Sequence, residues 1–352
     1  MKQMKIKLLT AIIGAMFAVG VYAADNSIFI DQTGSNSIIT INQDGAGNKI
    51  GGLGNIGPED TNRANLYGNS QIVNINQVGA GNTLKMDVRT VNSTGNSNSN
   101  NTNGNIGVTV SGVDSTRSFG SISFGNDNGN NFIYSVVGNS NSAVIDSNSA
   151  GSAGASDSNN IGINIYGNSN TTKFNTLGTA NTTILNIGAN NSNSNSNTVN
   201  SVINGDNNRQ STNIQGSSNT ANLYQGIGSN LDSNTVNPFS GSSTLNGIDS
   251  VVTSGSQSTQ GTIGLNVTGS SNLVNIGQTD TGNTALLNVD GSSNKFSLTQ
   301  SGNASSTAVL DYTGNNNITN ITQTTAAGVN NMLNLKVNGG SNNVTITQNG
   351  RN

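Results

Sequence analysis

From Gly269 onward the chain says one phrase four times: GSSNLVNIGQ, GSSNKFSLTQ, GNNNITNITQ and GGSNNVTITQ. The closing glutamines, Gln278, Gln300, Gln323 and Gln348, stand 22, 23 and 25 residues apart, which reads as a rung of fixed size joined by loops of varying length. Alternate positions carry a recurring pattern: Asn272, Val274, Ile276, Gln278; Asn294, Phe296, Leu298, Gln300; Asn317, Thr319, Ile321, Gln323; Asn342, Val344, Ile346, Gln348. A period of two is the period of a β-strand with one face buried and one solvated. After each of the first three glutamines a Gly- or Thr-containing turn leads to a second alternating run: Asn283, Ala285, Leu287, Val289; Ser306, Ala308, Leu310, Tyr312; Asn331, Leu333, Leu335, Val337. One repeat is therefore strand, turn, strand, turn. The fourth phrase reads as half a rung, with residues 349–352 behind it.

Two short strands cannot bury their own apolar face, so such a unit has to stack on its neighbours as a solenoid does. Stacking brings like onto like at about 4.8 Å, where the amides of Asn and Gln bond up and down the stack. A buried amide that would be costly alone is satisfied in such a ladder. The expectation is an all-β solenoid with two strands per rung, repeats of about 22–25 residues and polar ladders beside a thin Ile/Val/Leu core. Its roughly 330 residues after the leader allow at most about 13 to 15 rungs at that repeat length.

Residues 1–23 place Lys2, Lys5 and Lys7 ahead of an apolar run over 8–21 and then Val21-Tyr22-Ala23, the order of a secretory signal peptide cleaved after Ala23. The run is short for a bilayer span, which needs about 20 residues. With no Cys, an exported chain of this kind is no disulfide scaffold. Its 45 Gly, 2 Pro and 8% charged residues would suit disorder, but the net charge is only −3 and Ile, Val and Thr recur on a strand period. The absence of a basic run argues against a nucleic-acid partner.

Residues 24–90 carry repeat phrases. Asn26, Ile28, Ile30, Gln32 and then Ser37, Ile39, Ile41, Gln43 read as a hairpin-like first rung. Residues 51–65, with Pro58, read as a loop or an imperfect rung. The pattern resumes with Gln71, Val73, Ile75, Gln77 and with Asn82, Leu84, Met86, Val88. Residues 91–160 are Ser/Asn/Gly-rich, with short alternations such as Ile106, Val108, Val110 and Phe132, Tyr134, Val136; they read as degenerate rungs in preference to a flexible insert. Residues 161–268 read as degenerate solenoid repeats, and 269–352 as the regular ones. The columns expected to stack are Gln32, Ser37, Gln43, Asn48, Gln71, Gln77, Asn82, Asn272, Gln278, Asn283, Asn294, Gln300, Asn317, Gln323, Asn342 and Gln348.

The phrases SIITINQDGAGN (37–48) and QIVNINQVGAGN (71–82) resemble the curlin repeat of bacterial curli fibre subunits: Ser, five residues, Gln, then a G-x-G-N turn. Ser37, Gln43, Gly45, Gly47 and Asn48 match it position for position; Gln77, Gly79, Gly81 and Asn82 match with Gln71 in place of the Ser. The chain departs where the family's second strand ends in Gln, since Val289, Tyr312 and Val337 stand there. The resemblance implies a secreted subunit of an extracellular amyloid-like fibre at a bacterial cell surface or fimbrium, serving adhesion and biofilm matrix. Its implied partners are copies of itself, with a nucleator subunit and an outer-membrane export channel as candidates. The competing expectation is a monomeric β-solenoid adhesin of a cell surface or phage.

Enzyme chemistry and cofactors are not expected. There is no His or Cys, which removes the common base, metal ligand and thiol nucleophile, and the 16 acidic residues are scattered. GGLGNIG lacks the Lys and helix of a phosphate loop, and Asp44 and Asp280 do not recur in step as calcium repeats require. Ice binding needs flat rows of exposed Thr; Thr40 faces outward, but Asn74, Asn275 and Thr345 elsewhere suggest that no regular Thr column forms.

Overall fold

A computed structural model describes residues 26–33, 38–52, 63–67, 72–90, 105–111, 116–124, 131–146, 160–178, 180–188, 194–226, 258–302 and 304–350. The signal peptide expected over 1–23 lies outside them, as do Ser37 and Gln71. Among the described residues no helix is long and apolar enough to cross a membrane.

The alternating runs form strands of two long sheets. Sheet I has eleven strands, running from Ile38–Asp44 to Asn331–Asn338; sheet II has fourteen, running from Ser27–Ile28 to Asn343–Asn349. The first two layers of sheet II are each split in two, Ser27–Ile28 with Ile30–Thr33 and Lys49–Gly51 with Ala64–Tyr67, so its fourteen strands make twelve layers; from Ile72–Val78 onward the chain alternates between the two sheets, each strand of sheet I being followed by its rung partner in sheet II. All registered pairs are parallel; Thr284–Asp290, for instance, lies between Thr262–Thr268 and Ser306–Thr313. A third, two-stranded sheet pairs Ser258–Thr259 with Asp280–Thr281. The fold is a β-solenoid, with eleven layers in sheet I and hence about 50 Å of stack at strand spacing. That is fewer than length alone allows; Arg209–Gln215, for example, pairs directly with Thr262–Thr268, and 262 − 209 is 53 residues, more than two repeat lengths for one layer.

Inward positions meet between the sheets. Sheet I supplies columns such as Ile263, Ala285, Ala308 and Leu265, Leu287, Leu310; sheet II supplies Val274, Phe296 and Leu223, Ile276, Leu298, Ile321. These side chains form one continuous buried cluster. Tyr312 fills a place held by Val289 in the preceding layer, and its ring meets Phe296 of the facing sheet edge-on, with centroids 5.9 Å apart. Burial pushes the Tyr312 hydroxyl above the usual phenol range. In the Ser/Asn-rich part, strands Asn105–Ser111, Thr116–Phe124, Asn131–Val137 and Ser142–Asp146 continue the parallel pairing of the two sheets, with one register shift where Thr83–Thr90 meets Thr116–Phe124; residues 112–115 and 125–130 lie outside the described ones.

Three sequence expectations change. Residues 26–33 and Ile38–Asp44 are no hairpin: Ser27 pairs with Lys49 in sheet II, whereas Ile38 pairs with Ile72 in sheet I. The N-terminal and C-terminal glutamines are not one column, since Gln43 and Gln77 stack in sheet I while Gln278 to Gln348 stack in sheet II. A hydroxyl column does form, with Ser142, Thr171, Thr198 and Thr220 in register on the outer face of sheet II. Unequal loops disguise it in the sequence. Its described neighbours two residues on are Lys173, Asn200 and Asn222 rather than a second row of Thr.

Turns explain the glycines. The first residue of the turn entering sheet II has φ of +122° at Gly269 and +131° at Gly291, and a Cβ on either would lie 1.9 or 2.0 Å from the carbonyl oxygen of the turn above. No side chain fits there. Gly162, on an outward strand position, has open space instead. Gly291→Ala is expected to cost about 3 kcal/mol or more through strain and overlap, whereas Gly162→Ala should stay within about 1 kcal/mol of the parent or stabilise. Urea unfolding of both variants checks the contrast; equal midpoints would contradict it.

Candidate functional site

The distinctive chemistry lies in the stacked amides and in the two ends of the stack. At the turn entering sheet II, each Asn side chain bonds in both directions. Asn294 donates its main-chain N–H and its Nδ2 to Asn272 Oδ1 at 3.0 and 3.1 Å, and Nδ2 also donates to the Gly314 carbonyl at 2.9 Å. Asn317 repeats this on Asn294 and Gly339, and Asn342 donates to Asn317. Below Asn272 the column continues through Asn219, Asn197, Asn170 and Asn141. A second run joins Asn26, Asn48 and Asn82. Most members are buried, and the pattern satisfies their polar atoms without water.

Glutamine makes a second column at the far end of the same strands. Nε2 of Gln225, Gln278, Gln300 and Gln323 donates to Oε1 of the next glutamine at 3.1, 2.8, 2.8 and 2.6 Å, ending on Gln348. The same nitrogens of Gln278, Gln300 and Gln348 each donate at 3.0 Å to a main-chain carbonyl of sheet I, on Thr262, Thr284 and Met332. The column thus bonds the two sheets together along one edge of the core. In sheet I the equivalent edge holds Gln43, bonded to Gln77 at 2.7 Å, and then turns apolar. At the opposite turn Asn283 accepts from the main chain of Ser306, and Asn181 from that of Asn208.

Of the expected columns, Asn48 with Asn82, Gln43 with Gln77, Asn272 to Asn342, and Gln278 to Gln348 are brought together in four runs; Asn283 belongs to the opposite turn. Gln32 lies in the first strand of sheet II, opposite Leu66. The alternation over Asn219, Ala221, Leu223 and Gln225 reads as a further phrase of the repeat, but the expected columns left Asn219 out, and they missed Asn141, Asn170 and Asn197. The signal was the turn itself, since GNSN at 138–141 and 167–170 and GSSN at 216–219 are the same Gly-x-x-Asn as at 269–272. The third turn residue has left-handed φ, from 53° at Ser140 to 61° at Ser341, a place Gly47 and Gly81 hold in the N-terminal turns. Exposed Asn columns were missed too: Asn213, Asn266 and Asn288 bond in series at 2.7 Å on the outside of sheet I.

Charge is arranged to suit stacking. No registered pair among the described strands sets two like charges side by side, and Asp311 meets Lys336 at 3.2 Å. Among the described residues no group of acids could hold a metal ion. A shallow depression of about 410 Å³ on the outside of sheet I is lined by Gly264, Leu286, Val309 and their polar neighbours, with no titratable group.

Among the described residues no strand or helix covers either end of the stack. Leu333, Leu335, Val344 and Ile346 at one end, and Ile30, Ile39 and Ile41 at the other, are only partly buried although they continue the core columns. No family model, curated protein or solved structure matches the chain.

Asn294→Ala would leave the amide of Asn317 and the carbonyl of Gly314 without these partners, a cost expected to be about 3 kcal/mol or more. Asn266→Ala on the exposed column should cost less than about 1 kcal/mol. Chemical denaturation distinguishes the two.

Proposed function

We propose that the chain is a structural subunit of an extracellular amyloid-like fibre that grows by stacking rung on rung. One observation carries the reading: the amide columns and the apolar core run to the outermost described strands at both ends, where their apolar members are half-exposed and no described element covers them. Such an end offers a row of unpaired N–H and C=O groups, which pairs with another strand. The same contacts that stack layers within one chain would then stack layers between chains. The curlin-like phrases at 37–48 and 71–82 support the same reading, as does the leader over 1–23, which suits export to a cell surface. Assembly is a strand-pairing reaction and needs no cofactor.

The purified chain from residue 24 is expected to pass from soluble monomer to thioflavin-positive fibres with the roughly 4.8 Å cross-β reflection. A chain that stays monomeric under seeding and instead binds cell surfaces would be a solenoid adhesin, and the fibre reading would fall.

A charge at the open end gives a sharper test. Ile346→Lys places an ammonium on a position half-open in the monomer, where its stem can reach water, but buried and unpaired once another copy stacks there. Seeded elongation is expected to fall at least about tenfold, the equivalent of about 1.4 kcal/mol at the joint, with a smaller change in monomer stability. Unchanged elongation would show that growth does not use this end.

A further inference from the structure

We propose that copies of the chain join through the two ends of sheet I, and that residues 26–33, the first strand of sheet II, are a self-cap displaced when the joint closes. The proposal rests on the fibre reading and specifies its interface.

The argument begins with the order of strands. The chain enters the solenoid in sheet II, at Ser27–Ile28 and Ile30–Thr33, and its outermost opposite strand, Asn343–Asn349, is also in sheet II. Since the chain alternates between the sheets in between, sheet II holds one layer more than sheet I. Two copies therefore cannot stack end to end with both sheets continuous. If Asn343–Asn349 pairs with residues 26–33 of the next copy, sheet I is left with a gap one strand wide. Asn331–Asn338 and Ile38–Asp44 would then lie about 9.6 Å apart, twice the strand spacing, beyond any hydrogen bond. If those two strands pair instead, Asn343–Asn349 and residues 26–33 contend for the same edge, that of Lys49–Gly51 and Ala64–Tyr67.

Side chains favour the second joint. Met332 and Ile38 are the two most exposed large apolar residues among those described, at 78% and 59%. The registers place them in one outward column of sheet I, at its opposite ends. Pairing the ends of sheet I covers both, and sets Leu333 over Ile39 and Leu335 over Ile41, all half-buried in the monomer. The gapped joint leaves all six side chains facing a void.

Residues 26–33 are also replaceable. Asn26, Ile28, Ile30 and Gln32 stand at the positions that Asn342, Val344, Ile346 and Gln348 hold at the other end. An incoming Asn342 can take over the place of Asn26, whose Oδ1 accepts from the Asn48 main chain at 2.9 Å. The resident strand is two pieces of two and four residues, and its Ile28 is 48% exposed; the incoming strand is a single piece of seven. Displacement exchanges a weak pairing for a stronger one and closes the core of both sheets.

The test uses the chain from residue 24, which has no native cysteine to interfere. The double variant S27C/K49C joins two residues paired in register, at a Cα separation suited to a disulfide. Seeded elongation, followed by thioflavin fluorescence, is expected to fall at least tenfold in the oxidised form and to recover on reduction. A chain lacking residues 24–33 should elongate faster, by about tenfold if the strand is detached about a tenth of the time. Equal rates for oxidised and reduced forms, or slower growth of the shortened chain, would overturn the proposal in favour of a joint that uses residues 26–33. If the unaltered chain forms no fibres at all, the fibre reading itself fails and this joint fails with it.

Discussion

In-register parallel pairing is the constraint from which the rest of the molecule follows. Each residue faces its own counterpart about 4.8 Å above and below, so any property of a side chain is repeated along the stack. Amides gain from the repetition, because a carboxamide carries donor and acceptor at once and Asn294 can serve both Asn272 and Asn317. Charges lose by it. Two like charges at that spacing repel by about 0.9 kcal/mol even in water. The registered strands avoid every such pair, and the ion pair of Asp311 with Lys336 sets opposite signs in successive layers. A chain with 8% charged residues and an excess of Asn, Ser and Thr is the composition this geometry selects.

The same constraint governs the turns. Successive layers approach closely where the chain enters sheet II, and the Gly269 carbon is so near the Gly291 carbonyl that only hydrogen fits. The next layer is thereby admitted at full strand spacing, and Asn272 is delivered to its column at the following corner. Glycine and asparagine of each turn act as one device: the first allows the approach, and the second bonds across it. Gln300 completes the rung at the other edge by tying sheet II to the carbonyl of Thr284 in sheet I.

Much of this was legible from the residues alone. Period-two alternation predicts strands, the recurring phrase predicts stacking, and Asn272, Asn294, Asn317 and Asn342 read as one column because each opens an alternating phrase that closes on Gln six residues later. The degenerate middle was harder to read, since Asn141, Asn170 and Asn197 are embedded in Ser/Asn-rich stretches where the turn pattern hardly differs from its surroundings. The Thr and Ser column from Ser142 to Thr220 was invisible, because its members are separated by loops of unequal length and only the pairing aligns them.

The sequence by itself determined that the chain is a stack of two-stranded rungs with amide columns, because side-chain period and turn chemistry are local properties. Tertiary structure decided which sheet each strand joins. The phrases ending in Gln43 and Gln77 look the same as those ending in Gln278 and Gln300, yet they lie in opposite sheets. A strand's assignment depends on how many strands precede it, and no single phrase contains that count. The same parity leaves sheet II one layer longer than sheet I, so that the strand order determines what the ends of the molecule can accept.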